Sequence, residues 1–294
     1  MTYDHALGDY AYSSWSMRIW LLFDRAGLPR KLHFADFTKD ATVADQIPQL
    51  APAKTVPSLR TPEGAILSEP TAIAEELATR HPEAGFWPVD PLARATARNL
   101  TEEMHSGFAA LRGFCPMNLR LAYTGVNAPP DVDADLRRLE KIWAHARSVT
   151  GSQTPWLCGE YSIADAFYAP VAARIAGYGL NVSEEAQAYV GAHLADGGFR
   201  RWRAMGMVKG GTVEDYKRDY EVVDWPGPQI KPAQAVEEGA SVNSICPYSG
   251  EPVTHFMQTG SKVFGFCNAF CRDKTVADQE AWPAFVNLLS SVRR

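Results

Sequence analysis

Short apolar runs and turn formers alternate through residues 3–80. Tyr10-Ala11-Tyr12 is compact and aromatic, at the point where a first short strand hands over to a helix. Met17, Ile19, Trp20, Leu21, Leu22 and Phe23 then open that helix, which runs to Ala26-Gly27. Residues 31–37 alternate at a period of two, the spacing of a strand with one buried face. Residues 53–59 predict a strand entered through Pro57; the turn Thr61-Pro62-Glu63-Gly64 follows, and residues 68–73 open another helix. Turn formers cluster again over residues 81–88. From Pro91 the pattern is helical. Asp131, Asp133 and Asp135 suit the positive end of a helix dipole, and Leu136, Leu139, Ile142 and Trp143 recur near the 3.6 period. The helical pattern fades around Phe199–Arg203. Residues 216–243, with Trp225-Pro226-Gly227-Pro228 and Lys231-Pro232, predict an extended linker. The spacing therefore predicts an α/β domain over 1–82, an all-helical domain over 90–215, the linker, and a small α+β module over 244–294. No internal repeat interrupts this order.

Composition narrows the function classes. A chain of 294 residues, 46% hydrophobic, is long enough for two domains and a small third one. Its net charge is −5, its pI is near 5.8, and Lys and Arg are spread along it. Nucleic-acid binding needs a basic face, so that partner is not expected. No run of about 18 apolar residues predicts a membrane span. The first residues lack the basic start and apolar block of a secretory signal, and the five cysteines are too few and odd in number for a disulfide scaffold. A reduced, cytoplasmic protein without a membrane partner is the expectation.

Ser13 and Ser14 fall at the predicted start of the first helix, where backbone N–H groups are unpaired. A serine hydroxyl there caps the helix, or donates to an anion held against its end. Four segments bear on that choice: Ser13-Ser14-Trp15-Ser16-Met17-Arg18, Val56-Pro57-Ser58-Leu59, Ser68-Glu69-Pro70-Thr71-Ala72-Ile73, and Gly159-Glu160-Tyr161-Ser162-Ile163-Ala164-Asp165. In this order the chain resembles the cytosolic glutathione transferases, and the first segment is most similar to their serine-type, zeta-like branch. The resemblance spans roughly residues 3–205.

It implies the glutathione transferase fold, a thioredoxin-like α/β domain followed by an all-helical one. It also implies glutathione as co-substrate, a small electrophile that is conjugated or isomerised, and a homodimer. A free thiol has a pKa near 8.5. A hydrogen bond to a charged group contributes about 1.5–3 kcal/mol and a helix N-terminus roughly 0.3–1 kcal/mol, enough to lower that pKa by about one to three units. The family position that stabilises the thiolate falls on Ser13, with Ser14 as the alternative and capping alone as the third. Trp15 stands where some relatives carry cysteine, against a protein-thiol mechanism. The resemblance places the backbone of Val56, ahead of a cis Pro57, against the cysteinyl part of glutathione. Glu69, Pro70 and Thr71 fall at the γ-glutamyl end, where Pro70 replaces the usual serine and supplies neither hydroxyl nor N–H. Isomerases of the zeta-like branch meet a substrate carboxylate with an arginine where this chain has Gly177, one helical turn after Arg174. Met104, His105, Phe108, Leu111 and Arg112 are open to cleft or core roles. Arg18 is expected as a solvated helix arginine, and Ser162 with Asp165 as a helix cap.

The last fifty residues hold Cys246 in Cys246-Pro247-Tyr248-Ser249-Gly250, then Cys267 and Cys271. This tail resembles the small YHS or TRASH-type metal-binding modules, with Ser249 where a second knuckle cysteine is common. The resemblance implies zinc on the three cysteines, with His255 or water as a fourth ligand. Phe264, Phe266, Phe270, Trp282 and Phe285 allow the alternative, a metal-free module with inert thiols. Cys115 and Cys158 are expected as buried apolar residues. Two further readings stay open beside the enzyme: a noncatalytic scaffold on this fold, and a metal-handling protein that acts through its tail.

Overall fold

The first strand precedes the aromatic run of residues 10–12 and does not contain it. In the computed structural model, which describes residues 2–292, β1 is Tyr3–Leu7. Tyr10–Tyr12 forms a turn, because the Asp9 carbonyl accepts the N–H groups of Tyr12 and Ser13 at 3.3 and 2.8 Å. The described residues form two units, one running to Leu194 and including Gly210–Pro226, the other comprising Ala195–Lys209 and the chain from Gly227.

In the first unit β1 leads to α1 (Ser14–Arg25) and β2 (Arg30–Phe34), then the short α2 (Val43–Gln46), β3 (Ser58–Arg60), β4 (Ile66–Leu67) and α3 (Pro70–Arg80). The strand order is β2-β1-β3-β4, with β1 parallel to β2 and antiparallel to β3. Asp4 on the inner strand β1 bonds His33 on one side at 2.7 Å and Arg60 on the other at 2.5 Å. The period-two pattern of residues 31–37 thus overshoots, since the strand stops at Phe34.

Helices α4 (Pro91–Ser106), α5 (Ala109–Phe114), α6 (Pro130–Thr150), α7 (Ile163–Gly177) and α8 (Glu184–Ala195) follow, with β5 (Ala122–Thr124) between α5 and α6. All of α7 is buried, and it is apolar on nearly every side, as a central helix must be. Its start is held by Asp165, whose carboxylate accepts the Ser162 N–H and hydroxyl, the Leu157 N–H and the Tyr189 hydroxyl. Helix α1 packs on α7 and on α3, so Met17, Ile19, Leu22 and Phe23 lie in the core. The stretch read as a linker supplies β6 (Glu221–Val223), which pairs antiparallel with β5.

The second unit combines α9 (Gly197–Val208) with the antiparallel sheet β7 (Gln234–Val236), β8 (His255–Thr259) and β9 (Lys262–Phe266), and with α10 (Ala269–Ala277) and α11 (Pro283–Ser291). Helix α9, which the apolar pattern assigns to the helical domain, packs on α10. Arg200 makes a two-pronged ion pair with Asp278 at 2.7 and 2.8 Å, a geometry that fixes orientation as well as charge. The core is aromatic: Phe264 and Phe266 pack on Phe285, and Tyr248 packs on Phe266 and Trp282. Among the described residues no helix is long and apolar enough to cross a membrane.

Candidate active site

The two serines at the start of α1 have different surroundings. Ser13 is the N-cap: its hydroxyl accepts the Ser16 N–H at 3.3 Å and donates to the Ser16 hydroxyl at 2.8 Å. Ser16 in turn accepts the Gly8 N–H at 2.9 Å. Ser14 is the first helical residue, and only its backbone is engaged, its N–H donating to the Tyr12 carbonyl at 3.0 Å. The Ser14 hydroxyl makes no hydrogen bond among the described residues.

Both serines border a cavity of about 270 Å³. Trp15, Val56, Arg112, Arg174 and Tyr216 also line it, and among the described residues no acidic one does. Arg112 is held by its donation to the carbonyls of His105 and Gly107. Arg174 donates to the Cys115 and Pro170 carbonyls at 2.8 and 3.1 Å. Burial, with the neighbouring Arg112 charge, lowers Arg174 to about 10. His105 meets the Trp15 ring edge-on, while Met104, Phe108 and Leu111 belong to the core.

Arg18 overturns the expectation of a solvated arginine. It is fully buried, and none of its three side-chain nitrogens has a hydrogen-bond partner among the described residues. Its guanidinium stacks on Trp15 at 4.3 Å and on Phe167 at 5.0 Å, and Arg112 stacks on the same Trp15 ring at 4.8 Å. Burial pushes its pKa well below the ordinary arginine value, and the charges of Arg112 and Arg174 push the same way. The side chain points inward because Phe167 of the buried helix α7 gives it a ring to stack on.

Val56 reaches the cavity, and the Val56–Pro57 bond is cis. Pro70 is the first residue of α3 and Glu69 its exposed N-cap, with no side-chain capping bond. Thr71 lines a separate cavity of about 130 Å³ with Glu75, Trp87 and Arg98. Ser13, Ser14 and Val56 are therefore brought together, whereas Glu69, Pro70 and Thr71 are absent from that cavity lining. Sequence reasoning does not find Tyr216. Tyr216 lies where the chain reads as a linker, and its ring packs 4.9 Å from Tyr12.

Residues 12–80 match the family model for the N-terminal domain of glutathione S-transferases. A glutathione transferase homologue from Burkholderia gl BGR1, solved with bound glutathione, is 21% identical; the match covers 70% of this chain and 98% of that one, with a TM-score of 0.51. A glutathione transferase from Methylococcus capsulatus strain Bath is 20% identical with the same coverage and a TM-score of 0.52. This chain has the glutathione transferase fold. Human glutathione-S-transferase T1-1, in its apo form, is 21% identical over 70% of this chain and 89% of its own, at a TM-score of 0.50. No curated protein sequence matches significantly.

Beyond the two domains of the transferase fold, the sulfurs of Cys246, Cys267 and Cys271 lie within 4.8 Å of one another. Among the described residues no His, Asp or Glu joins them. His255 is engaged elsewhere, its Nδ1 2.9 Å from the Thr254 hydroxyl. Ser249 and the Asn268 amide donate to the Cys267 sulfur at 3.2 and 3.3 Å. Burial raises the Cys246 thiol, but hydrogen bonds from the backbone of Cys267, Tyr248 and Ser249 outweigh it and bring the pKa to about 7; burial raises Cys271 to about 12. A closed structural zinc site needs four protein ligands. These three cysteines supply three of them. Cys115 and Cys158 are buried thiols raised to about 12.

Proposed function

We propose that the protein is a glutathione transferase in which the Ser14 hydroxyl donates to the glutathione thiolate. The free Ser14 hydroxyl at the cavity carries this reading, because Ser13 is committed to capping α1. The thiol proton leaves to solvent, and the anion is held by one hydroxyl and the N-terminal end of the helix. The sulfur then attacks a small electrophile in the same cavity. Arg112 and Arg174, with Arg18 behind Trp15 and no acid in the lining, favour an electrophile that carries negative charge. The backbone at Val56 is the proposed contact for the cysteinyl part of glutathione, and the start of α3, with Glu69, for its γ-glutamyl end.

A thiolate absorbance titration with kinetics tests this. Ser14→Ala is expected to return the bound thiol toward a pKa of about 8.5 and to lower kcat/KM roughly 10- to 160-fold, the loss of about 1.5–3 kcal/mol. Ser13→Ala should leave the thiol pKa in place. Equal activity in Ser14→Ala and the parent would reject the assignment. Pro70→Ser restores a hydroxyl and an N–H at α3, and one regained hydrogen bond of about 0.5–1.5 kcal/mol predicts a glutathione Kd lower by about 2- to 12-fold. Glutathione binding without turnover of any electrophile would instead support the noncatalytic scaffold.

A further inference from the structure

The cysteine cluster of the second unit has the arrangement of an exchangeable dithiol. Cys267 is half-exposed, whereas Cys246 and Cys271 are buried, so an outside disulfide meets Cys267 first. Its sulfur is held by the Ser249 hydroxyl and the Asn268 amide. The Cys271 sulfur lies 3.9 Å from it, against the ~2.05 Å of a disulfide bond. One turn further along α10, Lys274 keeps its ammonium over the rings of Tyr248 and Trp282, at 4.1 and 4.0 Å. Phe264 and Phe266 pack on Phe285 beside the cluster.

We propose that Cys267 and Cys271 form a redox pair that exchanges with glutathione disulfide, Cys267 attacking first and Cys271 resolving. In the first step the Cys267 sulfur bonds to one glutathione sulfur, the glutathione S–S bond breaks, and one glutathione leaves with the proton Cys267 gave up. In the second step Cys271 attacks the Cys267 sulfur, and the second glutathione departs with the Cys271 proton. Two cysteine thiols lose two electrons, and one glutathione disulfide becomes two glutathione molecules. This pair is independent of the Ser14 reading, because it needs no catalysis at the first cavity.

The test uses the full-length protein, reduced and dialysed against chelator, then exposed to glutathione disulfide, trapped by alkylation and mapped by peptide mass spectrometry. The expected product is a Cys267–Cys271 disulfide that glutathione reverses. Cys271→Ser should stop at a single glutathione adduct on Cys267, and Cys267→Ser should form neither adduct nor disulfide; unchanged circular dichroism shows that both variants are folded. Three unmodified thiols, a disulfide that includes Cys246, or stoichiometric zinc that survives purification and blocks the exchange would each overturn the proposal.

Discussion

Arg18 carries a guanidinium into a place that holds two more cations, Arg112 and Arg174, and no acid among the described residues. An unpaired buried charge costs several kcal/mol more than an apolar group of similar shape. Arg18→Met should therefore stabilise the fold by about 1–4 kcal/mol, read as a higher midpoint in urea; a lower midpoint would mean that stacking on Trp15 and Phe167 outweighs the desolvation. Ser13→Ala removes a cap and should cost about 0.5–2 kcal/mol of stability, measurable in the same titration. These residues also mark how far the sequence could be read. Ser13 and Ser14 were legible because a polar pair ahead of an apolar helix is a local signal. Their separation into a cap and a free hydroxyl was not, since it depends on where Ser16 and Gly8 meet. Arg18 was misread because its burial depends on Phe167 and Arg112, from helices far along the chain.

Helices were more legible than strands. The runs behind α1 and α6 carry a clear apolar pattern, and Asp165 performs the capping role its spacing from Ser162 announced. The strands are short, between two and five residues, so one misread residue or two shifts their ends, as happened with β2, which stops at Phe34. The segment after α9 shows the same limit: its prolines and glycines suggest a linker, yet β5 supplies a partner for residues 221–223. Gly210 in that segment has φ +87°, and an added Cβ would collide with the Asp9 carboxylate. Gly210→Ala should thus lower stability by about 1–3 kcal/mol, while Gly113→Ala, inside α5 with no neighbour within 4 Å, should raise it by about 0.5–1 kcal/mol.

At the scale of the whole molecule, acid strengthens one part of the fold. Burial raises the Asp9 carboxyl from 3.8 to about 6, so between those values the folded chain keeps a proton that the unfolded chain has released. The associated stability is complete below about pH 4 and is lost as pH climbs through about 6. Asp9→Asn, neutral throughout, should raise the melting temperature at pH 7 and flatten its dependence between about pH 4 and 6; an unchanged slope would exonerate Asp9. The two units share the backbone unevenly, because Ala195–Lys209 leaves the first and Gly210–Pro226 returns to it. Phe199 and Trp202 are buried in α9, whose partner α10 begins only at Ala269. A chain cut after Pro226 should expose those rings and aggregate, as light scattering would reveal. During synthesis the ribosome must add some sixty residues after α9 before its apolar side finds cover. For that interval the nascent chain carries an apolar helix face that the finished protein hides.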